Sequence, residues 1–523
     1  MTVDALAGVL LLGAAVVLVS VAAVRLSVVS GLPSLLLYLG IGVALGESTN
    51  NIVFNDNRLT QVLGYSALVL ILAEGGLTTR WSDIRDAMVP ATVLSTVGVV
   101  VSVLVVGFAA HHLLGLSWTL ALLVGAVLSS TDAAAVFSVL RRVPIHPRIA
   151  GILEAESGLN DAPVVLLVVT LTSMAGGGDA HSWLALVGLA AAELAGGGLI
   201  GLAVGYAGAL GLRRLALPSS ALLSLAVVAL TVGSYALATR AHASGFLAVY
   251  IAGLVLGNAH LPHRAAVRGF AEALGWLAQI GLFVLLGLLA SGPRLGTRVG
   301  DALILGLVLL LVARPLSVLV SMTPFRTPWR HQAFLSWAGL RGAVPVVLAT
   351  VPLTADIEEI DWLFQMVFVL VVVFTLVQAP VLPFLARRLR VGNVVDSRDL
   401  DLESAPLETL DADAVQVRIG ETSRMHGLEI FELRLPRGAN VTLVVRDGSA
   451  FVPESRTVLR RGDQLLVVTT SAARRDVLSR LRAVSQGGRL AVWEASAAAG
   501  SDQYPTDRRF GGLVRRVRGR IPG

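Results

Sequence analysis

Leu153-Glu-Ala-Glu-Ser-Gly-Leu-Asn-Asp-Ala-Pro163 puts three carboxylates, a serine and an asparagine inside the stretch 149–174, which is otherwise apolar enough to cross a bilayer. An ionisable side chain in a spanning helix costs several kcal/mol, so it marks a functional site by default. Glu156 and Asn160 are four apart and share a helix face, with Asp161 adjacent. Carboxylate, hydroxyl and carbonyl oxygens gathered in one run are what a hard cation requires. Glu154 alone has a structural reading, at the mouth of the helix.

The rest of the chain agrees with a membrane setting. It has 523 residues, 55% hydrophobic and 15% charged, with a mean hydropathy of +0.77. Soluble chains are about a quarter charged, so a soluble enzyme or DNA-binding protein is excluded as a description of the whole. All 41 basic residues are Arg and there is no Cys. Lysine Schiff-base and P-loop chemistry, disulfides, Cys-ligated zinc and thiol catalysis are thereby excluded. Residues 1–390 carry 21 Arg and 18 acids, whereas the much shorter 391–523 carries 20 and 17. The first part reads as a transmembrane domain and the second as a soluble appendage.

A span needs roughly 20 mostly apolar residues. About thirteen candidates lie near 5–24, 32–46, 61–78, 88–110, 117–140, 149–174, 183–211, 218–239, 244–258, 270–290, 299–322, 332–352 and 361–386. One set of alternate loops holds 15 Arg and the other 4. The positive-inside rule puts the first set in the cytoplasm. The N-terminus is then outside and the C-terminal domain inside, and the acidic run Asp356, Glu358, Glu359, Asp361 faces outward.

Four further places carry polarity where none is expected. Glu74 precedes Gly75-Gly76 near the inner end of the third span and reads either as a snorkelling helix end or as a site residue. Ser129-Ser-Thr-Asp132 interrupts the fifth span and suits an unwound stretch whose carbonyls face a cavity. Glu193 sits beside Gly196-Gly-Gly198 and reads equally as a hydrogen-bonded packing residue. Arg341, among Gly339, Gly342 and Pro345, argues for a broken twelfth span, with Glu156 as its expected partner. Arg314, before Pro315, is assigned a structural role. Interrupted helices in both halves are the architecture of secondary transporters built from inverted repeats.

At these residues the chain resembles the bacterial monovalent cation/proton antiporters of the sodium/proton exchanger superfamily. Within it, the likeness is to the cell-volume-regulation branch, potassium/proton antiporters with a cytoplasmic TrkA-C domain. The matching stretches are Ser129-Ser-Thr-Asp-Ala-Ala-Ala-Val-Phe-Ser138, Glu156-Ser-Gly-Leu-Asn-Asp161, Ser244-Gly-Phe-Leu-Ala-Val-Tyr250, Trp276-Leu-Ala-Gln-Ile280, Ala313-Arg-Pro-Leu-Ser317 and Leu340-Arg-Gly-Ala-Val-Pro345. The resemblance implies an all-α polytopic membrane protein of about thirteen transmembrane helices, with inverted repeats, crossed broken helices at the fifth and twelfth spans, and a small α+β cytoplasmic domain. It implies a homodimer in the bacterial cytoplasmic membrane that exchanges K+ or Na+, with K+ favoured, for H+. It implies a transporter and not an enzyme, with no resident cofactor. Carried over by motif, Asp161 alternately holds a proton and a cation. Ser157, the Thr131 carbonyl and Glu74 complete the ion's shell, and Asp132 acts through water. Asn160 is held by Glu156, which pairs with Arg341.

Residues 391–412 read as an acidic linker, 413–485 as a β-α-β-β-β-α domain and 486–523 as a basic, disordered tail touching anionic lipid. Within the domain, strands are expected at 414–418, 441–446, 450–452 and 464–469, with helices at 423–433 and 471–483. Asp447-Gly448 is a hairpin turn. The order resembles the TrkA-C domain, commonly dimeric and able to bind small anions or cyclic dinucleotides, so a nucleotide ligand is one reading and a dimer-stabilising module the other. The tail's aromatics are only Tyr504 and Phe510, which disfavours nucleic acid. An RCK-gated potassium channel is disfavoured because no carbonyl-ring filter loop is present. A receptor leaves the buried carboxylates unexplained.

Asn160-Asp161 offers one exchangeable charge where an Asp-Asp pair would offer two. Exchange of one proton for one cation is then electroneutral, and membrane voltage, worth about 2.3 kcal/mol per charge per 100 mV, does not drive it. In proteoliposomes with a clamped potential, the rate is expected to be the same at 0 mV and at about −100 mV; a clear voltage dependence contradicts the single-charge reading.

Overall fold

The computed structural model describes residues 3–30, 32–46, 56–140, 143, 145–177, 183–215, 219–290, 298–355, 357, 360–391, 400–407, 412–421, 423–470 and 473–488. The stretch 489–523, and Asp356, Glu358 and Glu359 of the acidic run, lie outside the described residues. The chain divides into two compact units, Met1–Asn393 and Val394–Gly523.

The first unit is helical. We label its helices α1 (Val3–Ser30), α2 (Ser34–Leu45), α3 (Asn57–Thr78), α4 (Met88–Leu114), α5 (Trp118–Ser129), α6 (Ala133–Leu140), α7 (Pro147–Ala175), α8 (Trp183–Leu215), α9 (Ser220–Arg240), α10 (Gly245–Asn258), α11 (Arg264–Leu289), α12 (Val299–Phe325), α13 (Trp329–Trp337), α14 (Ala343–Leu353) and α15 (Asp361–Arg388). Among the described residues, nine are long and apolar enough to cross a membrane, and α2, α5, α10 and α14 are shorter apolar helices. Each of the thirteen expected segments coincides with a helix or with a broken pair.

The fifth and twelfth segments are the broken ones, divided at 130–132 and 338–342. Serine and threonine hydroxyls compete for backbone hydrogen bonds, and glycine is a poor helix former. The two gaps meet and satisfy each other's freed backbone groups. The Asp132 N–H donates to the Leu340 carbonyl at 2.9 Å. The Arg341 Nε donates to the Leu128 carbonyl at 2.9 Å, and its Nη1 to the Gly339 carbonyl at 2.6 Å. Gly342 is required at the crossing, because a Cβ there would collide with the Asp132 carboxylate.

The span before each break carries a single π turn, at Leu94–Gly98 in α4 and Leu309–Ala313 in α12. The segment after the second π turn packs on the first: the Ser317 hydroxyl donates to the Gly98 carbonyl at 2.8 Å. The fourth and fifth spans thus match the eleventh and twelfth in kind and order, the pattern an inverted repeat produces.

The second unit is a five-stranded antiparallel sheet of β1 (Leu400–Leu407), β2 (Ala412–Ile419), β3 (Ala439–Arg446), β4 (Ser449–Phe451) and β5 (Gln464–Thr470), ordered β1-β2-β5-β3-β4. Val415, Val417 and Ile419 alternate inward from β2, and Leu465 and Val467 from β5. A final helix, α16 (Arg474–Gly487), covers them with Val477, Leu481 and Val484. Asp447 and Gly448, both at positive φ, make the expected hairpin.

Two expectations need correction. The helix expected at 423–433 is one 3₁₀ turn, Ile430–Leu433, because Gly427 at φ +82° and Arg434 at φ +46° stop helical propagation on either side. The acidic linker contributes β1, paired in register with β2 from Leu400↔Ile419 to Leu407↔Ala412. Its acids read as a linker by composition, yet charges are what a protected edge strand carries.

Asp463, 1% exposed, fastens this unit. Its carboxylate accepts both Arg446 Nε and Nη2, at 2.8 and 2.7 Å, and the Arg460 N–H at 2.7 Å. Asp463→Ala strands these donors. It is expected to destabilise the unit by about 2–4 kcal/mol, read as a fall of several degrees in its thermal transition.

Candidate functional site

α7 carries the polar run to the meeting point of the two breaks. Pro163 has no N–H, so the Leu159 carbonyl loses its helical donor two residues before Asp161. Glu156, Asn160 and Asp161 are all buried, at 2%, 1% and 7% exposure.

The gap of the fifth span supplies their partners. The Ser130 hydroxyl donates to Asp161 Oδ1 at 2.8 Å. Asn160 Nδ2 donates to Thr131 Oγ1 at 2.7 Å, and that hydroxyl donates to Glu156 Oε1 at 3.1 Å. Ser157 Oγ accepts the Ala133 N–H at 3.2 Å, meeting an orphan donor at the start of α6. Asp132 Oδ1 accepts the Ala135 N–H at 3.3 Å. Asn160 Oδ1 is buried with no hydrogen-bond partner among the described residues, an acceptor of the kind that water or a cation satisfies.

A cavity of about 420 Å³ lies against this cluster. Glu74, Thr131, Asp132, Ser157 and Asp161 all line it. Glu74 reaches it from the last turn of α3, hydrogen-bonded to Thr78 at 3.4 Å and folded over Gly275 of α11. The lining also includes Ala150, Thr78 and Thr79, so the cavity extends toward the N-terminal end of α7 and the C-terminal end of α3. The structure therefore brings together every residue expected in the ion's shell.

The arginines are exchanged relative to expectation. Glu156 pairs with Arg314, not Arg341, through two bonds of 2.7 and 2.9 Å. Arg314 follows directly on the π turn of α12, which rotates its side chain toward α7. Arg341 is consumed by carbonyls of the two gaps. Asn160 is likewise held by Glu156 only through the Thr131 hydroxyl. Ser130, outside the expected shell, is the direct partner of Asp161, and its signal in the sequence is a hydroxyl one residue before Thr131. Glu193, half-buried in α8, takes no part in the cluster. Its carbonyl accepts the Ser244 N–H at 2.9 Å.

Residues 12–388 match the family described as sodium/hydrogen exchanger, transmembrane. The chain belongs to the sodium/hydrogen exchanger family. Residues 414–482 of this family member match the TrkA-C domain. It is 38% identical over 471 residues to the K(+)/H(+) antiporter NhaP of Alkalimonas amylolytica, covering 87% of this chain and 80% of that one. It is 34% identical to NhaP2, a K(+)/H(+) antiporter of Shewanella sp. (strain MR-4), covering 90% and 82%. The Na(+)/H(+) antiporter NhaS2 of Synechocystis sp. matches at 31% over 62% of this chain and 61% of its own. Among solved structures, the sodium proton antiporter MjNhaP1 of Methanocaldococcus jannaschii at pH 8 superposes with a TM-score of 0.64. That match has 22% identity and covers 74% of this chain and all of that one, a likeness of fold.

Arg314→Ala leaves Glu156 a buried charge without its counter-ion. Melting of the detergent-purified protein is expected to report a loss of about 3–5 kcal/mol, most of it recovered when both residues become Met.

Proposed function

We propose that the protein is a secondary active antiporter exchanging a monovalent cation, K+ in preference to Na+, for H+ across the bacterial cytoplasmic membrane. It acts as a homodimer with its N-terminus outside and its TrkA-C unit in the cytoplasm. One observation carries this reading: Asp161 is buried where two broken helices cross, yet lines a cavity shared with the oxygens of Glu74, Thr131, Asp132 and Ser157. The preference for K+ is supported by the K(+)/H(+) antiporters matched over four-fifths of their length. NhaS2, named for Na+, matches over a smaller share.

Proton and cation compete for one carboxylate, so binding of either requires departure of the other. Asp161 with a proton, or with a monovalent cation, is neutral and can cross. Ionised and empty, it carries a charge whose burial in the bilayer costs several kcal/mol. Exchange is obligatory because only the occupied site moves. Glu156 is already neutralised by Arg314, which leaves Asp161 as the exchangeable charge of the fully buried stretch from Glu156 to Asp161. Asn160 holds the hydroxyl of Thr131 in place and has no charge of its own to give. No proton need pass through the Glu156–Arg314 pair.

The test is ΔpH dequenching in everted vesicles, adding Li+, Na+, K+ and Rb+ in turn across a pH series. K+ is expected to give the largest response, and Asp161→Asn to abolish the response to every cation while the protein still purifies as a folded dimer. Exchange retained in Asp161→Asn would place the site elsewhere.

A further inference from the structure

Four carboxylates line the cavity among the described residues: Glu74, Asp132, Asp161 and Glu154. The first three are accounted for above, and Glu154 is not. It lies seven residues before Asp161 on α7, two helical turns and about 10 Å nearer the N-terminal end. Spacing of i, i+3 and i+7 puts Glu154, Ser157 and Asp161 on one face, and all three border the cavity.

The surroundings hold Glu154 in place without covering it. The Thr79 hydroxyl, just beyond the end of α3, donates to its Oε1 at 2.6 Å. Thr79 is itself fixed, its carbonyl accepting Nδ2 of Asn258, the last residue of α10, at 2.9 Å. Between Glu154 and Asp161 the face narrows to Gly158, against which Tyr250 of α10 packs so closely that a Cβ would enter its ring. Along α7 the cavity is bordered in turn by Glu154, Ser157, Gly158 with the Tyr250 ring against it, and Asp161. Two other acids lie near Glu154, Glu74 and Asp83, and Asp83 also lies beside Arg268.

We propose that Glu154 is the approach carboxylate of the transport route, attracting the cation at the inner mouth of the cavity and so setting the affinity for cations arriving from that side. This rests on the antiport reading and adds a residue to it. A fixed negative charge about 10 Å from the binding carboxylate favours cation binding there, by roughly twofold in water and tenfold or more at the dielectric of a protein surface. In the orientation proposed above the N-terminal end of α7 is the inner one, so cations entering from inside pass Glu154 before Asp161, and cations entering from outside do not.

Initial exchange rates against K+ concentration, measured in everted and right-side-out vesicles of the same cells, test this. For E154Q, the half-saturating K+ concentration is expected to rise roughly threefold to tenfold when K+ is presented to the inner face and to stay unchanged at the outer face. Maximal rate should persist, and E154D should restore most of the inner-face affinity. T79V keeps the charge but frees the carboxylate, and should give a smaller shift in the same direction. It supplies the test where E154Q fails to fold. An equal shift at both faces, or none at either, overturns the proposal. Absence of K+-dependent exchange in the unaltered protein would instead remove the antiport reading itself.

Discussion

A charge inside a bilayer must be paired, or neutralised by what it carries. Glu156 takes the first course, held by both guanidinium nitrogens of Arg314. Asp161, in the reading proposed above, takes the second: a serine hydroxyl is its protein partner, and among the described residues no arginine forms an ion pair with it. On that reading the division makes one carboxylate structural and its neighbour exchangeable. Had Arg314 met Asp161, the cation would face a resident competitor that never leaves. Asn160 separates the two functions, since it links Thr131 to the paired carboxylate without bringing a second charge to the exchangeable one.

Backbone satisfaction governs the rest of the core. Opening a helix in the membrane frees N–H and C=O groups that water cannot reach, so a break survives only where something else bonds to them. Here each gap completes the other, through Asp132 and Leu340 and through Arg341 and Leu128. Side chains from α7 finish the work, with Ser157 meeting the N–H that begins α6. The same contacts that repair the backbone therefore position Ser130, Thr131 and Asp132 around Asp161. Stability and site geometry are one set of hydrogen bonds.

The TrkA-C unit follows the rules of an antiparallel sheet covered on one face by a helix. Alternation along β2 and β5 buries one face of each strand, and α16 covers the sheet by a repeat of three and four residues. Its one fully buried carboxylate, among the described residues with a resolved ion pair, is Asp463, and it too is paired with arginine. Asp401 and Glu403 belong to its edge strand β1, in register with Arg418 and Gln416 of β2.

Much of this was legible from the chain. The apolar segments, both interruptions and the acidic run of α7 could be read directly, because hydrocarbon admits few backbone conformations and penalises each charge. That the two interruptions belong together was also legible, since neither can stand alone. The edge strand β1 was not, because an acidic stretch looks the same as linker or as protected edge. Nor was the choice of arginine. Whether Arg314 or Arg341 faces Glu156 depends on the rotation of α12, set by a five-residue π turn that no composition reveals, and on how many orphan carbonyls claim Arg341. Sequence alone determined where charge had to be buried, since the solvent decides that. Only the tertiary structure decided which charges meet, because pairing depends on ångström distances set by helix rotation and not by residue type.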